Sequence, residues 1–539
     1  MVIHSESEGY KAESLFLERP DKLTSAKRFA IFTAVVFCGP TSGLRFVAPD
    51  SKHLSREGGK EVAGITSFGA YVPYYRLSRK EIARAWDSYP GDGYRAVANW
   101  DEDTITMAVE AVIDCLRGFN RDIVDALLFV TTTPAFHEKS SAAVIAKATD
   151  LKNDLFVLDC GGSLRAGTAA MKLALDTVKA GAQKNVVVAA ADCRLAPPNS
   201  GAESDFGDGA AAVMIGDQNV AVEIEGVYSY TEEFTDRWRR ANDQFVKTWE
   251  ERFVNTQGYN RLLTITVTNA LKRFNLKPQD ITKIIYPAHS KTAHTRCTML
   301  GACGFTKAQV QDPLFDKIGN TGTAHPLQML VAALEDAKPG DRILLVSYSD
   351  GGDVFNLKVT ENITKLQGKR RGIKKHVATM KDLPNYGRYL LFRGLVSREY
   401  EAPAPVPYAS LPREWRERNS IMSLHGSKCR KCGEVQFPVE RVCPKCLSKD
   451  DYEEVSLAQK PAKIYTYNKD FATPTSDPPN SMCQVDFEGG GRIQCIMADR
   501  DPNELEVGMP VEMVFRRFHE EKNIIHYYWK ARPPREPKK

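Results

Sequence analysis

Residues 158–170 read LDCGGSLRAGTAA, an apolar run that passes through a glycine turn into a helical pattern. The apolar run ends the segment DLFVLDC, and the helical pattern continues as RAGTAAMKLALDTVKAG. Short apolar runs of this kind are typical of strands buried inside a sheet that helices cover. The stretch therefore predicts a strand, a tight turn and a helix in an α/β fold.

The same alternation of short strands and helices continues on both sides of this turn. Strands are predicted for GITSFGAYV, DALLFVTTT, NVVVAAADC, ITKIIYPA and RILLVSYS. Helices are predicted for EDTITMAVEAVIDCLRGF, SAAVIAKATDL, TVTNALKRFNL, HTRCTMLGACGF and TAHPLQMLVAALEDA. The aromatic and charged block from about 229 to 260 predicts an inserted helical cap. The pattern indicates two similar α/β halves.

Two CxxC pairs lie in the C-terminal third of the chain, separated by ten residues. Four thiolates on two tight turns suit a tetrahedral zinc ion whose coordination shell is complete, so the predicted role is structural. Iron in the same four-sulfur shell is the alternative. The predicted ligands are Cys429, Cys432, Cys443 and Cys446.

These patterns divide the chain into six segments. After the zinc segment, short β runs separated by turn residues indicate a small β-barrel. The predicted boundaries are an extension, poorly ordered, over 1–60, the first α/β half over 61–225, the second half with its cap over 226–360, a Pro-rich extended linker over 361–412, a zinc ribbon over 413–460 and the barrel over 461–539.

Composition narrows the classes of protein. The chain of 539 residues is 42% hydrophobic and 26% charged, with a net charge of +5, which is ordinary for a globular protein and too weakly basic to indicate nucleic-acid binding. No run of about 18 consecutive apolar residues predicts a membrane span. Twelve cysteines with one metal pattern and no disulfide framework favour the reducing cytoplasm.

Several motifs, in order and spacing, give the chain a family resemblance. Residues from about 62 to 360 resemble the thiolase superfamily in its hydroxymethylglutaryl-CoA synthase and ketoacyl-synthase III branch, through DCGGSLRAGT, ESDFGDGAAAVMIGD, YPAHSK, IGNTGTAHP and VSYSDGGD. Residues from about 410 to 535 resemble the zinc ribbon plus OB-fold domain that accompanies thiolase-like acyl-CoA enzymes. The resemblance implies a layered αβαβα fold with two small domains after it, and a homodimer.

The resemblance also implies where the family's catalytic groups should lie. The nucleophilic cysteine corresponds to Leu164, the histidine to Tyr286 and the synthase's glutamate to a position near Thr132. Only the asparagine, Asn320, stands as the family has it. A leucine cannot form an acyl-enzyme, so acyl transfer through that position is in question.

Other polar groups could take over part of the chemistry. Tyr286 could donate or accept a proton, and His289 could turn into the site. Ser163 lies beside the altered position, although its hydroxyl could simply cap the helix. Tyr348 and Asp350, in the SYSDGGD turn, are predicted to face the substrate together with Leu164 and Thr132.

Three functions fit these departures. The leading interpretation is an aldolase-type lyase that makes or breaks a C–C bond in a 3-hydroxyacyl-CoA without a cysteine nucleophile, as thiolase-like subunits with zinc ribbon/OB-fold partners do. One alternative is a hydroxymethylglutaryl-CoA synthase-like condensing acyltransferase with a displaced nucleophile such as Cys160; the other is a non-catalytic acyl-CoA-binding scaffold. The coenzyme A thioester is the expected substrate, and a thiolase or hydratase is a possible partner protein.

Overall fold

The computed structural model describes residues 62–89, 91–397 and 410–536. The predicted extension over 1–60 and the Pro-rich end of the predicted linker, 398–409, lie outside the described residues. Within the described ranges, no helix has both the length and the apolar character needed to cross a membrane.

The strands, in chain order, are β1 Gly64–Tyr71, β2 Tyr75–Ser78, β3 Tyr94–Val97, β4 Ala126–Val130, β5 Phe156–Cys160, β6 Asn185–Asp192, β7 Gly209–Gly216, β8 Val222–Thr231, β9 Arg237–Trp238, β10 Lys247–Thr248, β11 Lys283–Ile285, β12 Arg342–Val346, β13 Gly351–Val359, β14 Lys381–Asp382, β15 His425–Cys429, β16 Val435–Gln436, β17 Tyr452–Ser456, β18 Ala462–Asp470, β19 Asn480–Phe487, β20 Arg492–Ile496, β21 Pro510–Glu521 and β22 Ile524–Arg532.

The α-helices are α1 Arg79–Ala85, α2 Thr104–Cys115, α3 Ser141–Ala148, α4 Ala166–Lys179, α5 Gly201–Asp205, α6 Glu251–Phe253, α7 Arg261–Phe274, α8 Lys291–Thr295, α9 Met299–Cys303, α10 His325–Leu334, α11 Gly372–Ala378, α12 Tyr386–Phe392, α13 Leu411–Arg416 and α14 Arg418–Ser423. A π-helical segment, Val254–Asn260, leads into α7.

The two α/β halves meet along one mixed sheet of nine strands, in the order β11-β12-β13-β8-β1-β7-β6-β4-β5. Helices α4 and α10 share one apolar core with strands from both halves, including Val188 of β6 and Leu345 of β12. Helix α2 covers the outer face of the first half, and α7 covers that of the second. This arrangement of helices and strands gives the αβαβα layering that the sequence predicts.

The small C-terminal domains also take the predicted forms. Strands β16, β15 and β17 form the three-stranded ribbon that carries the CxxC pairs. The antiparallel order β20-β19-β18-β21-β22 forms the barrel, and a bridge between Met497 and Ala531 brings its two edges together. The barrel docks on the first half through fully buried charges. Arg516 of β21 pairs with Glu102 of the first half, and it also pairs with Asp499 of the barrel itself.

Two predicted segments are corrected by the structure. Residues 361–397 do not form an extended linker, because they contain α11, α12 and a short strand, β14, that pairs with β2. The buried Tyr389 of α12 explains why this segment folds onto the core. The predicted helical cap is mostly not helical: β8 runs into it as far as Thr231, and β9 and β10 form a two-stranded hairpin.

Candidate active site

The turn between β5 and α4 places Leu164 beside the N-terminus of a 14-residue helix. Gly162 has φ 85°, a left-handed conformation that glycine adopts without strain. The hydroxyl of Ser163 accepts a hydrogen bond from the backbone N–H of Arg165 at 3.3 Å. Ser163 therefore braces the turn, whereas the N-cap residue itself is Arg165, whose side chain makes no capping bond.

Two adjoining cavities meet at Leu164, and we call them together the Leu164 pocket. They share three lining residues, Leu164, Asp236 and Arg237. The outer cavity, of about 160 Å³, is also lined by Thr132, Gly162, Ser163, Arg194, Trp238, Arg239, Val246, Ser349 and Asp350. The inner cavity, of about 20 Å³, is also lined by Pro287, Ala288, His289, Asn320, Gly322, Pro326 and Tyr348.

The structure thus gathers most of the predicted site residues and moves one of them away. Leu164 and Asn320 line the same cavity, as the motif order predicts. Tyr286 lines neither cavity: its ring is 1% exposed and stacks on His294 with the ring centroids 4.3 Å apart. The prediction that Tyr286 shares this pocket is wrong, because the chain leaves β11 with that side chain directed into the core. His289, three residues later, lies on the pocket wall instead.

His289 presents a neutral imidazole to the pocket. Burial, followed by the positive charge of Arg237, lowers the pKa of His289 to about 3. Neither ring nitrogen has a hydrogen-bond partner among the residues that the structure describes. A neutral imidazole with both nitrogens available can donate one hydrogen bond and accept another.

Asn320 is held rigidly in the wall of the inner cavity. Its amide nitrogen donates to the carbonyl of Ala288 at 2.7 Å. Its amide oxygen accepts from the guanidinium of Arg194 at 2.7 Å and from the backbone N–H of Gly322 at 2.9 Å. Each amide nitrogen carries two hydrogens, so the second N–H of Asn320 stays available for a ligand.

Asp236 and Arg237 are site residues that the sequence analysis missed. Burial raises the pKa of the Asp236 carboxyl, and the neighbouring charge of Arg237 opposes this shift only in part. Burial, then the charge of Asp236, raises the pKa of the Tyr348 hydroxyl. The segment DRWRR carries an unusual concentration of charge beside an aromatic residue, but the sequence predicts a helical cap there and gives no signal that it reaches the pocket.

Thr132 lines the outer cavity with its polar groups already committed. Its backbone N–H and hydroxyl donate to the two oxygens of Asp192, at 2.7 and 3.0 Å. The same buried carboxylate accepts the backbone N–H of Thr323 at 2.8 Å. Asp192 therefore ties the Thr132 loop to the loop that carries Asn320, and the predicted glutamate position holds a hydroxyl without acid–base capacity near neutral pH.

The four ribbon cysteines are brought together as predicted. The sulfur atoms of Cys429 and Cys446 lie 3.6 Å apart, and those of Cys432 and Cys443 lie 3.5 Å apart. All four sulfurs lie within 4.8 Å of one another. Zinc–sulfur bonds of about 2.3 Å in a tetrahedron separate the sulfurs by about 3.8 Å, so these side chains fit a four-thiolate zinc ion.

Comparisons with known proteins agree with both parts of this architecture. Residues 423–453 match the ChsH2 rubredoxin-like zinc ribbon domain. The α/β part is 30% identical, over 344 residues, to the hydroxymethylglutaryl-CoA synthase of Methanocaldococcus jannaschii, covering 62% of this chain and 99% of that protein. The chain belongs to the hydroxymethylglutaryl-CoA synthase family.

Further relatives support the same membership. The synthase of Archaeoglobus fulgidus is 32% identical over 312 residues, which cover 56% of this chain and 90% of that protein. A solved structure of MvaS in complex with 3-hydroxy-3-methylglutaryl coenzyme A superposes with a TM-score of 0.56 and 20% identity, covering 65% of this chain and 96% of that one. At this level of identity the superposition supports the thiolase-like fold alone.

Within the hydroxymethylglutaryl-CoA synthase family fold, the pocket of this chain has no thiol among its described lining residues. Cys160 lies at the end of β5, and burial followed by the charge of Asp159 raises its pKa. Cys193 lines a neighbouring cavity, and burial followed by Asp208 raises its pKa further. A raised pKa keeps a thiol protonated and weakly nucleophilic, so neither cysteine has the character of an activated nucleophile.

Proposed function

We propose that this chain is a hydroxymethylglutaryl-CoA synthase-like enzyme that forms or breaks a carbon–carbon bond beside the thioester carbonyl of an acyl-CoA. The observation that carries the proposal is that Leu164, His289, Asn320 and Asp236 line one pocket at the N-terminus of α4. A helix N-terminus stabilises negative charge, which a thioester enolate develops on its oxygen.

Leu164 restricts the chemistry to a step without an acyl-enzyme at that position. Carbon–carbon bond formation of the synthase type needs an enolate of one thioester that adds to a carbonyl carbon of the second reactant. That addition, or its reverse, requires a base and an oxyanion site but no covalent intermediate. The proposed reaction is therefore the aldol half of the synthase chemistry.

The side chains of the pocket can be given roles in the cleavage direction. Asp236, a carboxylate whose pKa is raised by burial, takes the proton of the β-hydroxyl group. The bond between the α and β carbons then breaks, and the β carbon leaves as part of a carbonyl compound. The electron pair of the broken bond stays with the α carbon and forms the thioester enolate. The second N–H of Asn320 and the neutral imidazole of His289 stabilise the enolate oxygen, and a proton returns to the α carbon. Condensation is the same sequence in reverse.

The full acyl-transfer reaction of a synthase is the second candidate, since several similar proteins carry the name hydroxymethylglutaryl-CoA synthase. It would require a displaced nucleophile, for which Cys160 lies four residues before Leu164. A non-catalytic acyl-CoA-binding scaffold has no observation in its favour beyond the altered position itself.

One experiment separates these functions. The protein is incubated with acetyl-CoA plus acetoacetyl-CoA, and separately with a panel of 3-hydroxyacyl-CoA thioesters, and the products and intact protein mass are read by mass spectrometry. We expect carbon–carbon bond formation or cleavage with no acyl adduct on the protein. An adduct on Cys160 would replace the proposal with the acyl-transfer reaction, and binding without turnover would leave a scaffold.

The ribbon and the sheet edge support two further parts of the proposal. We infer that Cys429, Cys432, Cys443 and Cys446 hold one structural zinc ion. We also infer a homodimer through β5, the outermost strand of the nine-stranded sheet, where Phe156 is 54% exposed. Light scattering after gel filtration tests the dimer, and a wild-type mass of one chain would contradict it.

A further inference from the structure

A second group of metal-ligating side chains lies on the hairpin of β21 and β22. His519 and Glu521 alternate along β21 and so share one face of the strand, and His526 of β22 lies directly opposite His519. One candidate ligand atom from each of these three residues lies within 4.8 Å of the others. We call these residues the hairpin cluster.

The local backbone explains how the three side chains converge. The pairing register between β21 and β22 shifts between Arg517 and His519, which marks a β-bulge. A bulge strengthens the local twist and redirects the side chains that follow it. The rings of His519 and His526 are consequently stacked, with centroids 4.6 Å apart and planes at 17°.

The imidazole of His519 gives the clearest indication of a ligand in the hairpin cluster. Both ring nitrogens of His519 are buried and have no hydrogen-bond partner among residues 62–89, 91–397 and 410–536. Leaving buried nitrogen atoms unpaired is costly, and an ion bound to one of the two nitrogens would reduce that cost.

A fourth residue orients His526 from outside the hairpin cluster. Glu414 of α13 lies 2.6 Å from Nδ1 of His526. A carboxylate that accepts Nδ1–H fixes the ring and leaves Nε2 for a metal, which is the usual support of a metal-binding histidine. The side chain of His526 is 7% exposed, so packing also holds this ring in place.

We propose that His519, Glu521 and His526 bind a divalent transition-metal ion of the zinc class, with Glu414 as the carboxylate that positions His526. Two imidazoles and one carboxylate favour zinc or iron over magnesium and calcium, which prefer oxygen ligands. Metal–ligand bonds of about 2.1 Å separate ligands by about 3.4 Å, so a small closure of the cluster brings all three ligands to bonding distance of one ion. Three protein ligands leave a coordination position open to water or another ligand, in contrast to the four-cysteine ribbon.

Zinc stoichiometry of the full-length protein tests this site. The protein is saturated with Zn²⁺, passed through gel filtration and analysed for zinc per chain. We expect two equivalents for the wild type, one for the double variant His519→Ala/His526→Ala, and two for Glu520→Gln. Glu520 is the neighbouring carboxylate on β21, is half-exposed and pairs with Arg517, which makes it the matched control.

Cobalt substitution separates this site from the ribbon. Co²⁺ in the four-cysteine site gives intense thiolate charge-transfer absorption, whereas Co²⁺ bound by two histidines and a carboxylate gives only weak d–d bands. We expect the double variant to lose the weak bands and keep the charge-transfer bands, which also reports that the ribbon is folded. One equivalent of zinc in the wild type, or two in a double variant with an unchanged circular dichroism spectrum, would overturn the proposal.

The milder Glu521→Gln variant is expected to keep the zinc of the ribbon and to bind the second zinc, in the hairpin cluster, more weakly than the wild type does. Unchanged affinity for the second zinc would count against Glu521 as a ligand.

Discussion

The zinc ribbon and the Leu164 pocket are both built on short turns, yet they keep their families' side chains to different degrees. The ribbon retains all four thiols within 4.8 Å of one another. The pocket retains its position at the N-terminus of α4 and its asparagine, but has a leucine at the position implied for the nucleophile. A structural site fails as soon as one ligand is lost, whereas a catalytic pocket can lose a nucleophile and keep its shape. Fold and chemistry can therefore diverge in one chain.

The largest effect is expected at the ribbon. Cys432→Ser should abolish zinc binding there and unfold the segment from β15 to β17, because metal binding supplies on the order of 10 kcal/mol of folding free energy in small zinc domains. Metal analysis together with limited proteolysis of the ribbon measures the effect. Cys303→Ser, a change outside the ribbon in α9, should leave zinc content unchanged. A folded ribbon in the Cys432→Ser variant would show that zinc is dispensable.

The next effect should appear in the rate and not in the fold. Asp236→Asn removes the proposed base, and loss of a positioned acid or base typically lowers kcat by a factor of about 100 to 10,000. The measurement is the turnover of the acyl-CoA identified by the substrate panel. Asp243→Asn, on the same hairpin, changes a partly exposed carboxylate that pairs with Lys247 and should keep the wild-type rate. Equal rates for both variants would remove Asp236 from the mechanism.

These two sites also differ in how far the sequence could predict them. The ribbon follows from local spacing, since two CxxC pairs define their own geometry, and α4 follows from its apolar period. Asp236 could not be found this way, because it precedes a two-residue strand that has no periodicity to recognise. It lines the inner cavity together with Tyr348, which is more than a hundred residues away in the chain.

Dependence on residues far away in the chain also explains why the sequence predictions for residues 361–397 and for Tyr286 were wrong. Residues 361–397 contain the basic stretch KLQGKRRGIKK and precede a Pro-rich one, so their composition resembles a linker. Their fold depends on the pairing of β14 with β2 and on the burial of Tyr389 among distant residues. The motif order predicts Tyr286 in the pocket, but motif position does not determine which way a side chain points at the end of a strand.

Restoring a thiol at position 164 tests whether the pocket keeps the rest of the geometry that acyl transfer needs. Leu164→Cys should place a cysteine at the N-terminus of α4 and near Arg237, where the helix dipole and the guanidinium lower a thiol's pKa. We expect this variant, made in a Cys160→Ser background, to gain one acyl group per chain from an acyl-CoA. Intact-protein mass spectrometry detects the adduct, and Leu164→Ala in the same background is the control. If the cysteine variant stays unmodified, the pocket has lost the synthase geometry along with its nucleophile.

The smallest effect concerns the loss of folding stability at acid pH that the buried His289 causes. The pKa of His289 is about 3 in the folded protein and about 6.5 when exposed, so the unfolded chain binds more protons between these values. The free energy of unfolding is therefore unaffected by this group above pH 6.5 and falls as the pH drops below it. Between pH 6.5 and pH 5 the loss amounts to about 2 kcal/mol, at about 1.4 kcal/mol per pH unit.

A substitution isolates this contribution from every other titrating group, because the other groups cancel in the difference between two variants. His289→Gln should lose about 2 kcal/mol less stability than the wild type when the pH is lowered from 7 to 5. Denaturant unfolding at the two pH values measures this double difference, with His137→Gln as a variant that leaves the buried imidazole in place. A pH response identical in His289→Gln and the wild type would mean that His289 is protonated in the folded pocket. It would then enter the proposed reaction as a cation and not as the neutral hydrogen-bond donor that its burial beside Arg237 implies.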